Sequence, residues 1–112
     1  LEGVRDTARQ AADTAKAILA LFDEDRGKIE TLGRQAGTVH RMHQLLQRKP
    51  IVSIPLAAES LKVSAPTARA AVEALERLKV VREITGKRRD RLYTYGRYMK
   101  ALDEGTEPLP RA

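Results

Sequence analysis

Apolar residues in the first third of the chain recur at spacings of three and four: Val4, Ala8, Ala11, Ala12, Ala15, Ile18, Leu19 and Phe22, continued by Ile29, Leu32, Ala36 and Val39. That period is one face of an α-helix starting near residue 2. Gly27, Gly33 and Gly37 each cost about 1 kcal/mol relative to alanine in a helix interior. The helix is therefore expected to end or kink between Gly33 and Gly37. A second helix then carries Val39, Met42, Leu45 and Leu46 to about Arg48, where Lys49-Pro50 stops it.

The signals are denser beyond Pro50. Ile51-Val52-Ser53-Ile54 is a short β-prone run, enough for one strand of a small sheet. Ser53 can cap a two-turn helix over residues 55–61, with Pro55 in its first turn, where a missing N–H costs nothing. Ser64 is a second N-cap, again with proline in the first turn at Pro66, and Ala68, Ala71, Val72, Leu75 and Leu78 form the buried stripe of a longer helix. Past Leu78 the period moves from 3.6 towards 2. Val81, Glu83, Leu92 and Thr94 alternate with Arg82, Ile84, Tyr93 and Tyr95, as two antiparallel strands require when one face packs on helices. Tyr98, Met99 and Leu102 suggest a closing helical segment, and residues 105–112 read as a disordered tail.

Helix, short strand, two-turn helix, tight turn, longer helix and hairpin is the winged helix-turn-helix order. The expected fold is mainly α, with a β-hairpin wing. Residues 1–35 form a helical linker, 36–104 the winged domain and 105–112 the tail.

Charge adds a location. Between Lys79 and Lys100 stand eight lysines and arginines against Glu83 and Asp90, a surplus of six that equals the net charge of the chain. The other 90 residues balance. Four of these cations, Lys87, Arg88, Arg89 and Arg91, occupy the hairpin tip, the footprint of a surface that meets phosphates. The competing reading is a solvated tip that discourages strand-edge aggregation. At the front of the longer helix, Ser64, Thr67 and Arg69 are the polar candidates: Ser64 near a phosphate, Thr67 and Arg69 towards base edges in a major groove. The plainer alternative leaves Arg69 solvated or pairs it with Glu73 at i+4. Double-stranded DNA is the expected partner, through Ser64, Thr67, Arg69, Lys87, Arg88, Arg89 and Arg91.

Other chemistry is thin. There is no cysteine and no apolar run near the roughly 20 residues that span a bilayer, and the first residues, Leu1 to Asp6, do not read as a signal peptide. A cytoplasmic protein without a membrane partner is expected. His40 and His43 lie three apart but lack a third nearby ligand, so they read as helix-surface histidines rather than a metal site. Asp23-Glu24-Asp25 lacks the spacing of a calcium loop. Tyr93, Tyr95 and Tyr98 either stack on bases or, as is commoner in hairpins, cover a small core. With no nucleophile–base arrangement and no phosphate-cradling glycine loop, neither a catalytic site nor a cofactor is expected.

Several stretches resemble the C-terminal region of bacterial Fic-family proteins. They are Leu1-Glu2-Gly3-Val4 with the alanine-rich helix, Ala20-Leu21-Phe22-Asp23-Glu24-Asp25-Arg26, Leu45-Leu46-Gln47-Arg48-Lys49-Pro50, Ser64-Ala65-Pro66-Thr67-Ala68, Arg82-Glu83-Ile84-Thr85-Gly86-Lys87-Arg88-Arg89 and Glu104-Gly105-Thr106-Glu107. The resemblance implies a fragment, also suggested by the start at Leu1 rather than Met, in which Leu1 to Val4 close a catalytic domain. Fic domains typically transfer AMP from ATP to a hydroxyl side chain through a His-Pro-Phe-x-Asp-Gly-Asn-Gly-Arg loop. No such stretch occurs here, so no catalytic residue carries over. The resemblance thus implies a non-enzymatic DNA-binding module that regulates or targets a Fic-type AMP transferase. The alternative is an interaction module that positions that domain without nucleic acid. Its alanine stripe suits close helix approach, either to the catalytic domain or to a second copy in a homodimer.

Overall fold

The computed structural model describes residues 2–86 and 91–106, with side chains over residues 9–86 and 91–104. The chain is mainly helical, with a small antiparallel sheet, and has the winged helix-turn-helix order. Helix α1 (Glu2–Glu30) leads through a single 3-10 turn (Gly33–Gln35) into α2 (Ala36–Arg48). Strand β1 (Ile51–Ser53), α3 (Ile54–Leu61) and α4 (Ala65–Arg77) follow, then β2 (Arg82–Glu83), β3 (Leu92–Thr94) and α5 (Gly96–Thr106). Strand order is β1-β3-β2, antiparallel throughout, with Thr94 standing between Ile51 and Arg82.

The break after α1 comes slightly earlier than the glycine spacing indicates. Gly33 sits at φ +65°, a left-handed conformation that glycine adopts without penalty, whereas Gly37 lies inside the first turn of α2. At the other end α5 continues to Thr106, so the helix takes in Gly105 and Thr106, which read from sequence as tail; residues 107–112 lie outside the described region.

The core gathers one stripe from each helix. On α4, Ala68, Ala71, Val72 and Leu75 are buried at i, i+3, i+4 and i+7. Their small members let α3 approach closely, and both helices then close over Met42, Leu45 and Leu46 of α2. Tyr93 and Tyr95 are buried beneath the sheet, the covering role rather than base stacking. Leu21 and Ile29 of α1 belong to the same core, and α1 packs along α5.

A buried polar chain fixes this packing. His43, expected on a helix surface, is only 1% exposed, because α2 turns it towards Phe22 and Tyr95. Tyr95 donates its hydroxyl proton to Asp25 Oδ2 at 2.5 Å, and the Tyr95 hydroxyl oxygen lies 2.9 Å from His43 Nε2. Since the tyrosine proton goes to Asp25, His43 Nε2 carries a proton and donates, while Nδ1 accepts from Gln47 Nε2 at 3.3 Å. Asp25 Oδ1 has no hydrogen bond, but Lys28 Nζ at 3.5 Å and Arg97 Nη1 at 3.7 Å balance its charge. Arg97 also reaches Glu24 at 3.2 Å, tying the start of α5 to α1. Burial and the Asp25 carboxylate push the Tyr95 phenol well above the ordinary range, so it remains a donor.

No described helix is long and apolar enough to cross a membrane.

Candidate nucleic-acid interface

The helix-turn-helix is built from two capping devices. Ser53 Oγ accepts from Leu56 N at 3.2 Å, and Pro55 stands in the first turn of α3. That helix ends with Lys62 at φ 58°, its N–H on Glu59 O, while Val63 N–H reaches back to Ala58 O at 3.0 Å. This is the Schellman pattern, with lysine where glycine is usual. The chain reverses in three residues and Ser64 opens α4.

Ser64 Oγ accepts from Thr67 N at 3.2 Å and donates to Thr67 Oγ1 at 2.9 Å. Because Thr67 Oγ1 is thereby an acceptor, its own proton remains available to a phosphate or base acceptor. Ser64, Ala65, Pro66, Thr67 and Arg69 are all exposed, whereas Ala68 is buried, so the first turn of α4 turns its polar side outward. Arg69 is exposed and has no ion pair among the described residues, so the alternative pairing with Glu73 is not formed.

Beside that turn lies a cleft of about 200 Å³ where Arg34, Gln35 and Thr38 face Thr67 and Ala70. These three residues carry little signal in the sequence. Gly33 and Gly37 mark a helix break, but only packing α2 against α4 brings Arg34 next to the recognition turn.

The wing begins with an anchored carboxylate. Glu83 Oε2 accepts from Thr85 Oγ1 at 2.6 Å, from Thr85 N at 2.5 Å and from Gly86 N. The Thr85 hydroxyl foremost, then the Gly86 amide and more weakly the charge of Arg91, hold the Glu83 carboxyl below its ordinary range. Thr85 Oγ1 in turn accepts from Leu92 N at 3.3 Å across the hairpin, and Gly86 turns the chain at φ +65°. Glu83 therefore shapes the base of the loop, a role that alternation alone does not reveal. Lys87, Arg88 and Arg89 lie outside the described residues; Arg91 is described and exposed.

The structure thus joins Ser64 and Thr67 directly, sets Arg69 beyond them on α4, and connects the wing to the far end of that helix through β2. Among the described residues no group of three or more His, Cys, Asp or Glu side chains is arranged to hold a metal.

A family model described as an HTH DNA binding domain matches residues 40–96, from within α2 to the first residue of α5. No curated protein and no solved structure matches the chain.

Proposed function

The chain belongs to the helix-turn-helix DNA-binding domain family, and we propose that it enters the DNA major groove with the first turn of α4 while the wing grips the sugar-phosphate backbone. The observation that carries this reading is the exposed recognition turn, in which Ser64 holds Thr67 as a donor beside Arg69, a side chain with no ion pair among the described residues. A groove about 12 Å wide admits such a helix. Thr67 donates to a base acceptor, and Arg69 pairs with guanine, a contact worth about 1–3 kcal/mol of discrimination. Arg34, across the cleft, and Lys87, Arg88, Arg89 and Arg91 of the wing take phosphates. The module acts by binding; catalysis lies elsewhere.

Fluorescence anisotropy with random-sequence duplex DNA at several salt concentrations tests this. Four wing contacts imply a log–log salt slope near about −3.6, which replacement of Lys87, Arg88, Arg89 and Arg91 by Ser removes. Binding that is absent at low salt, or indifferent to those replacements, would overturn the interface.

The resemblance to the C-terminal region of Fic-family proteins supports a further step. In it, residues 36–104 are the DNA-binding unit, 1–35 link it to an AMP transferase, and the pair works as a homodimer in transcription regulation. A Fic active-site loop encoded upstream of Leu1 is the test of parentage, and sedimentation is that of the dimer. The exposed side of α1 over residues 9–20, with Leu19 at 61% exposure, favours a second reading in which the chain is a protein-docking module. Retained partner binding with no DNA affinity would select it.

A further inference from the structure

The cations counted along residues 79–100 do not all serve the wing. Four of the eight, Lys79, Arg82, Arg97 and Lys100, line one cavity of about 550 Å³ between the end of α4, β2 and the start of α5. Among the described residues Glu76 is the single carboxylate that lines it. Glu76 stands nine helical steps beyond Thr67, about 14 Å along the axis, so this site lies at the opposite end of α4 from the recognition turn.

Its chemistry is divided. Val80 and Val81, both buried, are its apolar lining, and Lys79, Arg82, Arg97 and Lys100 line it with side chains that each join an aliphatic stem to a charged head. Arg97 is partly committed to Glu24 and Asp25. Lys79, Arg82 and Lys100 are exposed and have no ion pair among the described residues. The backbone at Lys79 adds a separate observation. It holds φ 63°, closing α4 through Lys79 N–H to Glu76 O and Val80 N–H to Leu75 O. Glycine satisfies that geometry without a side-chain penalty, yet lysine stands there and lines the cavity. The volume falls within the range of small-molecule sites, about 300–1,000 Å³.

We infer that this cavity binds a small organic anion with an apolar body, the body resting on Val80 and Val81 and the acid group meeting Lys79, Arg82 and Lys100. Inorganic anions lack the body, and neutral aromatics leave the cations without a partner. Because Val80, Val81 and Arg82 lead directly into the wing, an occupant sits against the base of the hairpin.

The probe is anilinonaphthalene sulfonate, titrated by fluorescence against the folded chain, with neutral N-phenylnaphthylamine and inorganic sulfate as comparisons. Binding at one site is expected, with both comparison compounds far weaker. Lys79→Gly combined with Arg82→Ser removes two of the three cations that meet the acid group and lowers affinity by at least roughly tenfold, the loss expected from even one charge-assisted contact. Circular dichroism verifies that the double variant melts cooperatively; if it does not fold, Lys100→Ser on the surface of α5 is expected to show the same weakening. Unchanged probe affinity in the folded variant, or equal binding of the neutral amine or of sulfate, would overturn the inference. So would displacement of the probe by duplex DNA together with loss of DNA affinity in the variant, since these cations would then belong to the nucleic-acid interface.

Discussion

Tyr95→Phe removes a single oxygen and breaks two buried contacts. The hydroxyl donates to Asp25 Oδ2 at 2.5 Å and accepts from His43 Nε2 at 2.9 Å, and both partners are fully enclosed. The phenyl ring fills nearly the same space, so the cost is electrostatic rather than a cavity. It leaves a carboxylate in the core with Lys28 at 3.5 Å and Arg97 at 3.7 Å as its remaining partners. Stranding a buried charge typically costs about 3–5 kcal/mol, and the two cations bring the expected value to about 3 kcal/mol. For a domain of this size that lowers Tm by roughly 12–24 °C. Urea denaturation followed by circular dichroism measures the loss. Asp25→Asn in the Tyr95→Phe background separates the pair from its surroundings, because removing the charge relieves part of the damage. A coupling energy of about 1.5–3 kcal/mol is expected from the double-mutant cycle. A cost below about 1 kcal/mol for Tyr95→Phe, or no coupling, would refute the argument that this chain of donors fixes α1 to the winged domain.

Lys62→Gly relieves the left-handed residue between α3 and α4, and thermal melts are expected to show a gain of up to about 1 kcal/mol with DNA affinity unchanged. Ser64→Ala removes the cap of α4 and its bond to Thr67; a loss of about 1 kcal/mol in stability is expected, with weaker DNA binding in anisotropy titrations. Burial holds the His43 imidazole below its ordinary value, with Asp25 opposing and Arg26 assisting. The unfolded chain therefore takes the proton first: stability is complete above about pH 6.5 and falls as the pH drops from there through the folded value. Melts across that range should slope in wild type and flatten in His43→Gln. The Glu83 carboxyl is likewise held low, so its contribution is present above about pH 4.5 and is lost as acid protonates it through the folded value. Glu83→Gln should loosen the wing base, read as faster amide exchange at Thr85 and Gly86.

Short-range chemistry made much of this protein legible from its sequence. Ser53 with Pro55 and Ser64 with Pro66 mark two helix starts because a cap acts on amides three residues away, and both caps form. The change of period after Leu78 marks the strands, since alternation is a property of neighbouring residues. Arrangements across the fold were not legible. Asp25 sits between Glu24 and Arg26 at the end of an acidic run, yet it alone of that run is buried, because Tyr95, seventy residues away in sequence, offers it a proton. His43 carries the same polarity as His40, and only the packing of Phe22 of α1 and of Tyr95, the residue after β3, against it makes it a core residue. In sequence the basic segment is continuous from Lys79 to Lys100, with four of its cations expected at the wing tip. Folding groups four of its other members, because the end of α4, β2 and the start of α5 bring Lys79, Arg82, Arg97 and Lys100 around one cavity. The sequence determined how many charges there are; the tertiary structure determined which of them face one another.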